Sequence, residues 1–292
     1  MMRTLFLFFA IFCLATSTYA QDFSFGIKAG MNQSTFRGDA ETDDAGNTVE
    51  DYNGAPGFHV GATFAWEATE LMGLRGEFLF SQEGGDRTFD GPSYYILKPT
   101  SDNPIYATGT RKTELNVTNS YLKFPVMGYI RPLPWLEFQA GGSVGFLISS
   151  TGFGDISFDG TASNGSPISL RHELDVRYFG DRPGEATIID PPNTVQVGGE
   201  AIPYPQTAGA YFEFAEDRGH LYKVVNIETL AGISLYLNKG LYISFRASFG
   251  LTDLTKAGAD VSQVKLDDNN QFISRNDKDT SVSLQASVGF SF

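Results

Sequence analysis

Residues 225–237 read VNIETLAGISLYL, residues 238–240 NKG, and residues 241–251 LYISFRASFGL. In the first run Val225, Ile227, Thr229, Ala231, Ile233, Leu235 and Leu237 alternate with Asn226, Glu228, Gly232, Ser234 and Tyr236. In the second, Leu241, Ile243, Phe245, Ala247, Phe249 and Leu251 alternate with Tyr242, Ser244, Arg246, Ser248 and Gly250. A period of two over such lengths, broken once by Asn238-Lys239-Gly240, specifies a β-hairpin. One face is apolar throughout, and the other is small or polar. The run length matches the roughly 10 residues that a tilted strand needs to cross a bilayer.

Six more segments repeat the pattern. Their apolar faces are Phe23 to Met31, Phe58 to Trp66, Leu74 to Phe80, Leu122 to Ile130, Leu136 to Ile148 and Val282 to Phe292, each taken at every second residue. A soluble sandwich would also alternate. Two features separate the readings. The polar faces hold many glycines, including Gly26, Gly61, Gly141, Gly145, Gly232 and Gly289, as a narrow barrel interior requires. The connections also alternate in length: short at Glu67 to Gly73, Arg131 to Pro134 and Asn238 to Gly240, long over about 33–57, 84–119, 149–224 and 252–280. Short periplasmic turns opposite long extracellular loops are the layout of an outer-membrane barrel. The expected fold is therefore all-β: an eight-stranded antiparallel up-and-down transmembrane barrel, closed without an edge.

The alternative is ten strands, because Ile168, Leu170, His172, Leu174 and Val176 also alternate and Ala210, Phe212 and Phe214 could supply a partner. That pairing would point His172 at lipid and put a proline-rich segment on the short-turn side, so a hairpin standing above the membrane is preferred. Thr113, Leu115 and Val117 are out of phase with Leu122 and Phe124, which predicts a β-bulge near Asn119.

The 292 residues carry a formal charge of −13, which argues against a nucleic-acid partner. Arg3, the apolar run Thr4 to Thr16 and the small residues Thr18 and Ala20 read as a signal peptide over residues 1–20, leaving residues 21–292 as the barrel. Cys13, the single cysteine, falls inside that signal. The run is too short for a membrane helix. Phe12 before Cys13 argues against lipidation.

At this point the residues resemble a family. Phe23 to Asn32 (FSFGIKAGMN), Tyr121 to Val126 (YLKFPV) and Val288 to Phe292 (VGFSF) are similar to the PorT-like outer-membrane β-barrels of Bacteroidota. The resemblance covers the eight strands and not the long loops. It implies an integral outer-membrane location and a link to protein secretion.

Candidate functional residues fall into groups. Lys28, Arg75, Glu77, Lys123, Glu137, Glu228 and Arg246 lie on the inward faces. Counted from the short-turn side, Arg75 and Glu137 are low, Lys28, Glu77 and Arg246 intermediate, and Lys123 and Glu228 higher, so opposite charges meet at each level of a lumen wide enough only for side chains. Trp66, Tyr129, Trp135, Tyr236 and Tyr242 cluster near the short turns and read as an aromatic girdle in contact with outer-membrane lipid. The terminal Phe292 reads as a signal to the outer-membrane assembly machinery. His59, His172 and His220 have no catalytic motif around them, and a structural role is expected for each. Asp39, Glu41, Asp43 and Glu50 have oxygen-ligand spacing, but Asp44 stands where a calcium loop needs glycine, so a solvated acidic loop is expected. The run Asp267 to Asn270 is a weaker case still. No cofactor site and no cysteine metal site is legible.

Negative charge concentrates outside: one arginine against six carboxylates around the first loop, and four arginines against eleven carboxylates in the third. The expected role is a non-enzymatic scaffold or interaction module, with a protein partner engaged through the third extracellular loop. A passive small-solute pore and a barrel enzyme are the alternatives.

Overall fold

The computed structural model describes residues 23–97, 104–179, 186–187, 194–203, 207–210, 212, 214, 219–275 and 277–292. The expected signal peptide at residues 1–20 lies outside them. Along the chain run β1 (Phe23–Arg37), β2 (Glu50–Thr69), β3 (Met72–Leu97), β4 (Ile105–Leu133) and β5 (Leu136–Ala162). Then come β6 (Pro167–Arg177), β7 (Ala186–Thr187), β8 (Thr194–Val197), β9 (Glu200–Pro203) and β10 (Thr207–Ala208). The last are β11 (Val225–Tyr236), β12 (Leu241–Gly250), β13 (Val261–Leu266), β14 (Phe272–Ser274) and β15 (Thr280–Ser291).

Eight of these close one antiparallel ring in the order β11-β12-β15-β1-β2-β3-β4-β5, and β5 pairs back onto β11. The last strand zips against the first from Gly26 opposite Ser291 to Arg37 opposite Thr280. Phe25 and Phe292 exchange backbone hydrogen bonds of 3.2 and 2.8 Å. Closure matters because an open edge in lipid would leave a row of unsatisfied backbone groups. The short turns are tight for local reasons: at Asn238 the side-chain Oδ1 accepts from the Gly240 and Leu241 amides at 2.9 and 2.8 Å.

Around the ring the outward face is an exposed apolar belt that includes Phe25, Ile27, Phe58, Phe78, Phe124, Val126, Phe146, Phe245 and Val288. Ile27 is 62% and Val126 61% exposed. At about 1.5–3 kcal/mol per large apolar side chain, such a belt in water would outweigh the ~5–15 kcal/mol net stability of a domain, so it faces lipid. Rings pair across strands within the belt, Phe78 with Phe124 at 5.2 Å and Phe124 with Phe146 at 6.0 Å between centroids.

The long connections are shorter than the sequence reading placed them. β1 and β2 run past the expected loop 33–57 and leave only residues 38–49 outside strands. The expected loop 84–119 is mostly a continuation of β3 and β4, paired as far as Leu97 opposite Ile105. In the third region β5 continues to Ala162 and pairs with β6, and the fourth contains the β13–β14 hairpin. β6 touches only the outer half of β5, from Thr151 to Thr161, and stays out of the ring. The ring therefore has eight strands and not ten.

The expected bulge near Asn119 is not in β4, whose register with β3 is unbroken. The extra residue is Ile148 of β5: Ser120 faces Ser149 while Tyr121 faces Leu147. A second shift lies in β2 between Gly54 and His59. Leu115 and Val117 keep the same inward phase as Tyr121 and Lys123; what changes is the medium. Above the membrane the inside of the wall is apolar, and Phe36, Leu97, Val117, Ile156 and Phe158 pack there with Ile168, Leu170, Leu174 and Val176 of β6. The charged groups Lys112, Glu114, Asp155 and Arg171 turn outward, the last pair bridged at 2.9 Å.

Candidate functional site

The inward faces of the membrane-spanning strands build a polar column in layers. Lowest, the Arg75 guanidinium donates to Glu137 at 3.1 Å and to the Tyr236 hydroxyl at 2.8 Å. Arg131 joins from the short-turn rim, donating to the same Glu137 oxygen at 3.0 Å and reaching Glu67 at 3.3 Å. Tyr129 and Tyr242 flank the Arg75 guanidinium at 5.4 and 5.6 Å, and Tyr236 lies 4.7 Å from that of Arg131.

Three residues of the expected girdle, Tyr129, Tyr236 and Tyr242, are therefore inside the barrel and do not meet lipid. Their positions in the alternation put them on the inward face, and glycines make room for them. A Cβ on Gly289 would stand 2.2 Å from the Tyr242 ring, and one on Gly73 2.5 Å from the Tyr129 hydroxyl. Trp66 and Trp135 stay on the outer surface, with Trp135 52% exposed.

At the next level Glu77 takes a two-point contact from Arg246, 2.9 and 2.8 Å, with Lys28 at 3.5 Å. Higher, Lys123 bridges Glu83 at 2.6 Å and Glu228 at 2.7 Å, and Asn226 donates to Glu228 at 2.9 Å. The seven inward charges named from sequence thus come together at three heights, as two pairs and one trio. Glu83 lies beyond the alternation read over Leu74 to Phe80, on the same inward face as Glu77 and Ser81, and joins the column because β3 continues past that point. With Glu83 counted, the cations Lys28, Arg75, Lys123 and Arg246 meet the carboxylates Glu77, Glu83, Glu137 and Glu228. Their side chains are 0–6% exposed. Such burial is tolerable only when every charge has a partner.

Sequence also gave no hint of a hydrogen-bonded chain at the level of β1 and β2. His59 Nδ1 lies 2.6 Å from Asn32 Oδ1, and His59 Nε2 lies 2.8 Å from Ser287 Oγ. The Asn32 amide nitrogen donates to Phe58 O, Ser81 Oγ and Gln82 O, so its oxygen must accept from His59. The neutral ring then carries its proton on Nδ1 and accepts from Ser287. The connectivity matches a serine–histidine–amide relay. Asn32, His59 and Ser287 are 3%, 1% and 4% exposed, so the chain bolts β1, β2 and β15 together and presents no open face to a substrate.

Outside the membrane the first loop is not simply the solvated acidic loop expected, because Glu41 and Glu50 are buried and take protein donors. The Glu41 carboxylate accepts from the Gln263 and Val264 amides and thereby anchors β13. Asp43 caps its own turn at Ala45 and Asn47. Glu50 is taken by Arg87 at 2.5 Å and Arg275 at 2.7 Å. Burial alone would raise Glu50, but the two guanidiniums overcome it and hold the carboxyl at about 2. Asp267 likewise caps the turn at Asn269 and Gln271. His172, expected to be structural, sits in the extracellular core within 2.8 Å of the Tyr95 hydroxyl, and burial lowers it to about 4.

That core encloses a cavity of about 130 Å³ between the tall β3–β4 wall, the end of β6 and the segment after β12. Rings of Phe36, Tyr52, Tyr178, Phe212, Phe214 and Tyr222 line it, with Arg87, Arg111, Asp260 and Asp279 among the polar groups. Carboxylate oxygens of Asp260, Asp277 and Asp279 lie within 4.8 Å of one another, the one grouping among the described residues with the spacing of a metal site.

The family described as outer membrane protein beta-barrel domain matches residues 19–256. No curated protein matches the sequence. Among solved structures, Ail of Yersinia pestis, crystallised with the heparin analogue sucrose octasulfate, aligns at 11% identity, covering 93% of this chain and 99% of that one, with a TM-score of 0.34. Neisserial surface protein A aligns at 9% identity, 93% and 100% coverage and a TM-score of 0.31. OprG of Pseudomonas aeruginosa aligns at 10% identity, 93% and 97% coverage and a TM-score of 0.28.

Proposed function

This chain belongs to the outer membrane protein beta-barrel domain family and is integral to the outer membrane, and on that premise we propose that it is a non-enzymatic scaffold, a closed barrel that holds a folded extracellular β-domain ready to engage a protein partner. The observation that carries the reading is the contrast between its two ends. The lumen is filled by paired charges with 0–6% exposure. The wall above the membrane continues through β3, β4, β5 and β6 around an apolar core. A conduit needs an open lumen, which these side chains fill. A presenting module needs the wall and is helped by a sealed base.

The third extracellular region, with β6 and the β8–β9 hairpin, offers the partner surface. The finer affiliation with PorT-like barrels of Bacteroidota, and a task in a secretion or assembly complex, rest on the short motifs at Phe23 to Asn32, Tyr121 to Val126 and Val288 to Phe292. Assembly through Phe292 is part of the same proposal: this residue is 72% exposed beside Phe290, where a terminal recognition signal has to be. Replacing Gly152 to Gly219 by a short Gly/Ser linker leaves the β5–β11 pairing of Leu136 to Phe146 with Val225 to Leu235 intact. The expected result is a heat-modifiable folded barrel that no longer co-purifies with the partners of the full chain in mild detergent. Undiminished partner capture by that variant, or steady single-channel conductance from the pure full chain, refutes the reading.

A further inference from the structure

The extracellular cavity has an unusual balance of walls. Its volume, about 130 Å³, is close to the ~150 Å³ that holds a benzene-sized molecule. Its rings are mutually braced: Phe36 stacks on Tyr222 at 6.3 Å, Tyr52 meets Phe36 edge-on at 6.5 Å, and Tyr178 meets Tyr222 edge-on at 5.1 Å. Both arginines in the wall are already engaged. Arg87 binds Glu50 at 2.5 Å, and Arg111 lies over the rings of Tyr94 and Tyr95 at 5.4 and 6.0 Å while donating to the Tyr94 carbonyl.

The two carboxylates are in the opposite position. Asp279 accepts from Thr255 Oγ1 at 2.9 Å, its Oδ1 is buried without a hydrogen bond, and neither it nor Asp260 is ion-paired among the described residues. Burial, with the hydrogen bond and charge of Asp277, pushes Asp260 up to about 7 against the opposing pull of the Arg275 guanidinium.

We propose that this chamber binds a small organic ammonium ion, its alkyl surface against the aromatic rings and its charge toward Asp260 and Asp279. An anion would meet two carboxylates with no free cation to offset them. A neutral apolar molecule would fill the space and leave those carboxylates uncompensated. A compact cation with an apolar skin satisfies both kinds of wall, since ring faces attract such cations most strongly where water is excluded. A bare metal ion could sit on the three aspartates alone, but it would leave the ring-lined space without a role. The chamber lies beneath the third extracellular region and borrows Val176, Tyr178, Phe212 and Phe214 from it, but occupancy of the chamber does not require a protein partner.

The test uses the full-length protein in a maltoside detergent, titrated calorimetrically with choline and with its uncharged isostere 3,3-dimethylbutan-1-ol. Choline is expected to bind at a single saturable site, at least tenfold tighter than the alcohol. Phosphocholine, which would bring a phosphate into a chamber of about 130 Å³ that already holds two carboxylates, is expected to bind at least tenfold weaker than choline, which separates a free ammonium from a lipid headgroup. Asp260→Asn and Tyr222→Leu are each expected to weaken choline at least tenfold while heat-modifiable mobility is unchanged. Absence of choline binding, equal binding of the alcohol, equal or tighter binding of phosphocholine, or loss of choline binding when calcium is added would each overturn the assignment.

Discussion

The membrane-spanning half and the extracellular half are built from the same strands but are inside out with respect to each other. On β4, Leu122, Phe124 and Val126 face lipid while Lys123 faces the lumen; a few residues further out, Val117 and Leu115 face inward and Lys112 and Glu114 face water. The strand does not turn over, and its pairing with β3 is continuous. The apolar side chains follow the medium: they go to lipid where lipid surrounds the wall and to the interior where water does. The two halves therefore rest on different terms, buried ion pairs below and hydrophobic burial above.

The largest expected effect strikes the lower half. Glu77→Ala leaves Arg246 and Lys28 in the lumen without their carboxylate, a change expected to cost about 3–5 kcal/mol. Urea titration of the barrel in lipid vesicles, followed by heat-modifiable mobility, measures it. A loss below 1 kcal/mol would show that the lumen is wet enough to solvate the orphaned cations. Restoring stability with Arg246→Met in the same chain would identify the stranded charge as the cause.

Phe158→Ala probes the upper half. Phe158 is 0% exposed, and its truncation is expected to cost the extracellular domain about 3 kcal/mol or more. Limited proteolysis should then cut the outer segments while the membrane band survives. Simultaneous loss of both halves would mean that they unfold as one unit.

A third test uses pH. His172 has its pKa lowered from 6.5 to about 4 by burial, so the folded state holds the neutral ring while the unfolded chain takes up a proton. Its contribution is complete above pH 6.5 and is lost as pH falls from there towards 4, at a maximum of roughly 3 kcal/mol. Protease resistance of the extracellular segments should fall through that window, and His172→Gln should flatten the profile. An unchanged profile in the variant would assign the acid sensitivity to other groups.

The smallest effect is predicted for the exposed Arg171–Asp155 bridge. Arg171→Ala should alter stability by less than about 0.5 kcal/mol, as surface ion pairs generally do. A larger loss would show that this outer face is covered by something that excludes water.

The inward charges at Lys28, Arg75, Glu77, Lys123, Glu137, Glu228 and Arg246 were legible because a strand has only two faces and the other face was apolar. Their heights, and so their partners, followed from counting residues up from the short turns. Tyr129, Tyr236 and Tyr242 depart from the expected girdle because phase, and not proximity to a turn, decides the face, and each stands on the polar side of its alternation. The fault expected at Asn119 arose from assuming one medium along the whole of β4. The relay of Asn32, His59 and Ser287 had no sequence signal, since it joins strands 27 and 228 residues apart.

By itself the sequence determined that this chain crosses a membrane as a closed sheet. Periodicity is local, and a residue's face depends only on its neighbours two positions away. Only the tertiary structure decided where the medium changes along each strand, that Glu83 completes the charge balance of the lumen, and that Asp260, Asp277 and Asp279 meet beside an aromatic chamber. Those facts depend on register between distant strands and on how the segment after β12 folds over the wall, and pairwise alternation carries no information about either.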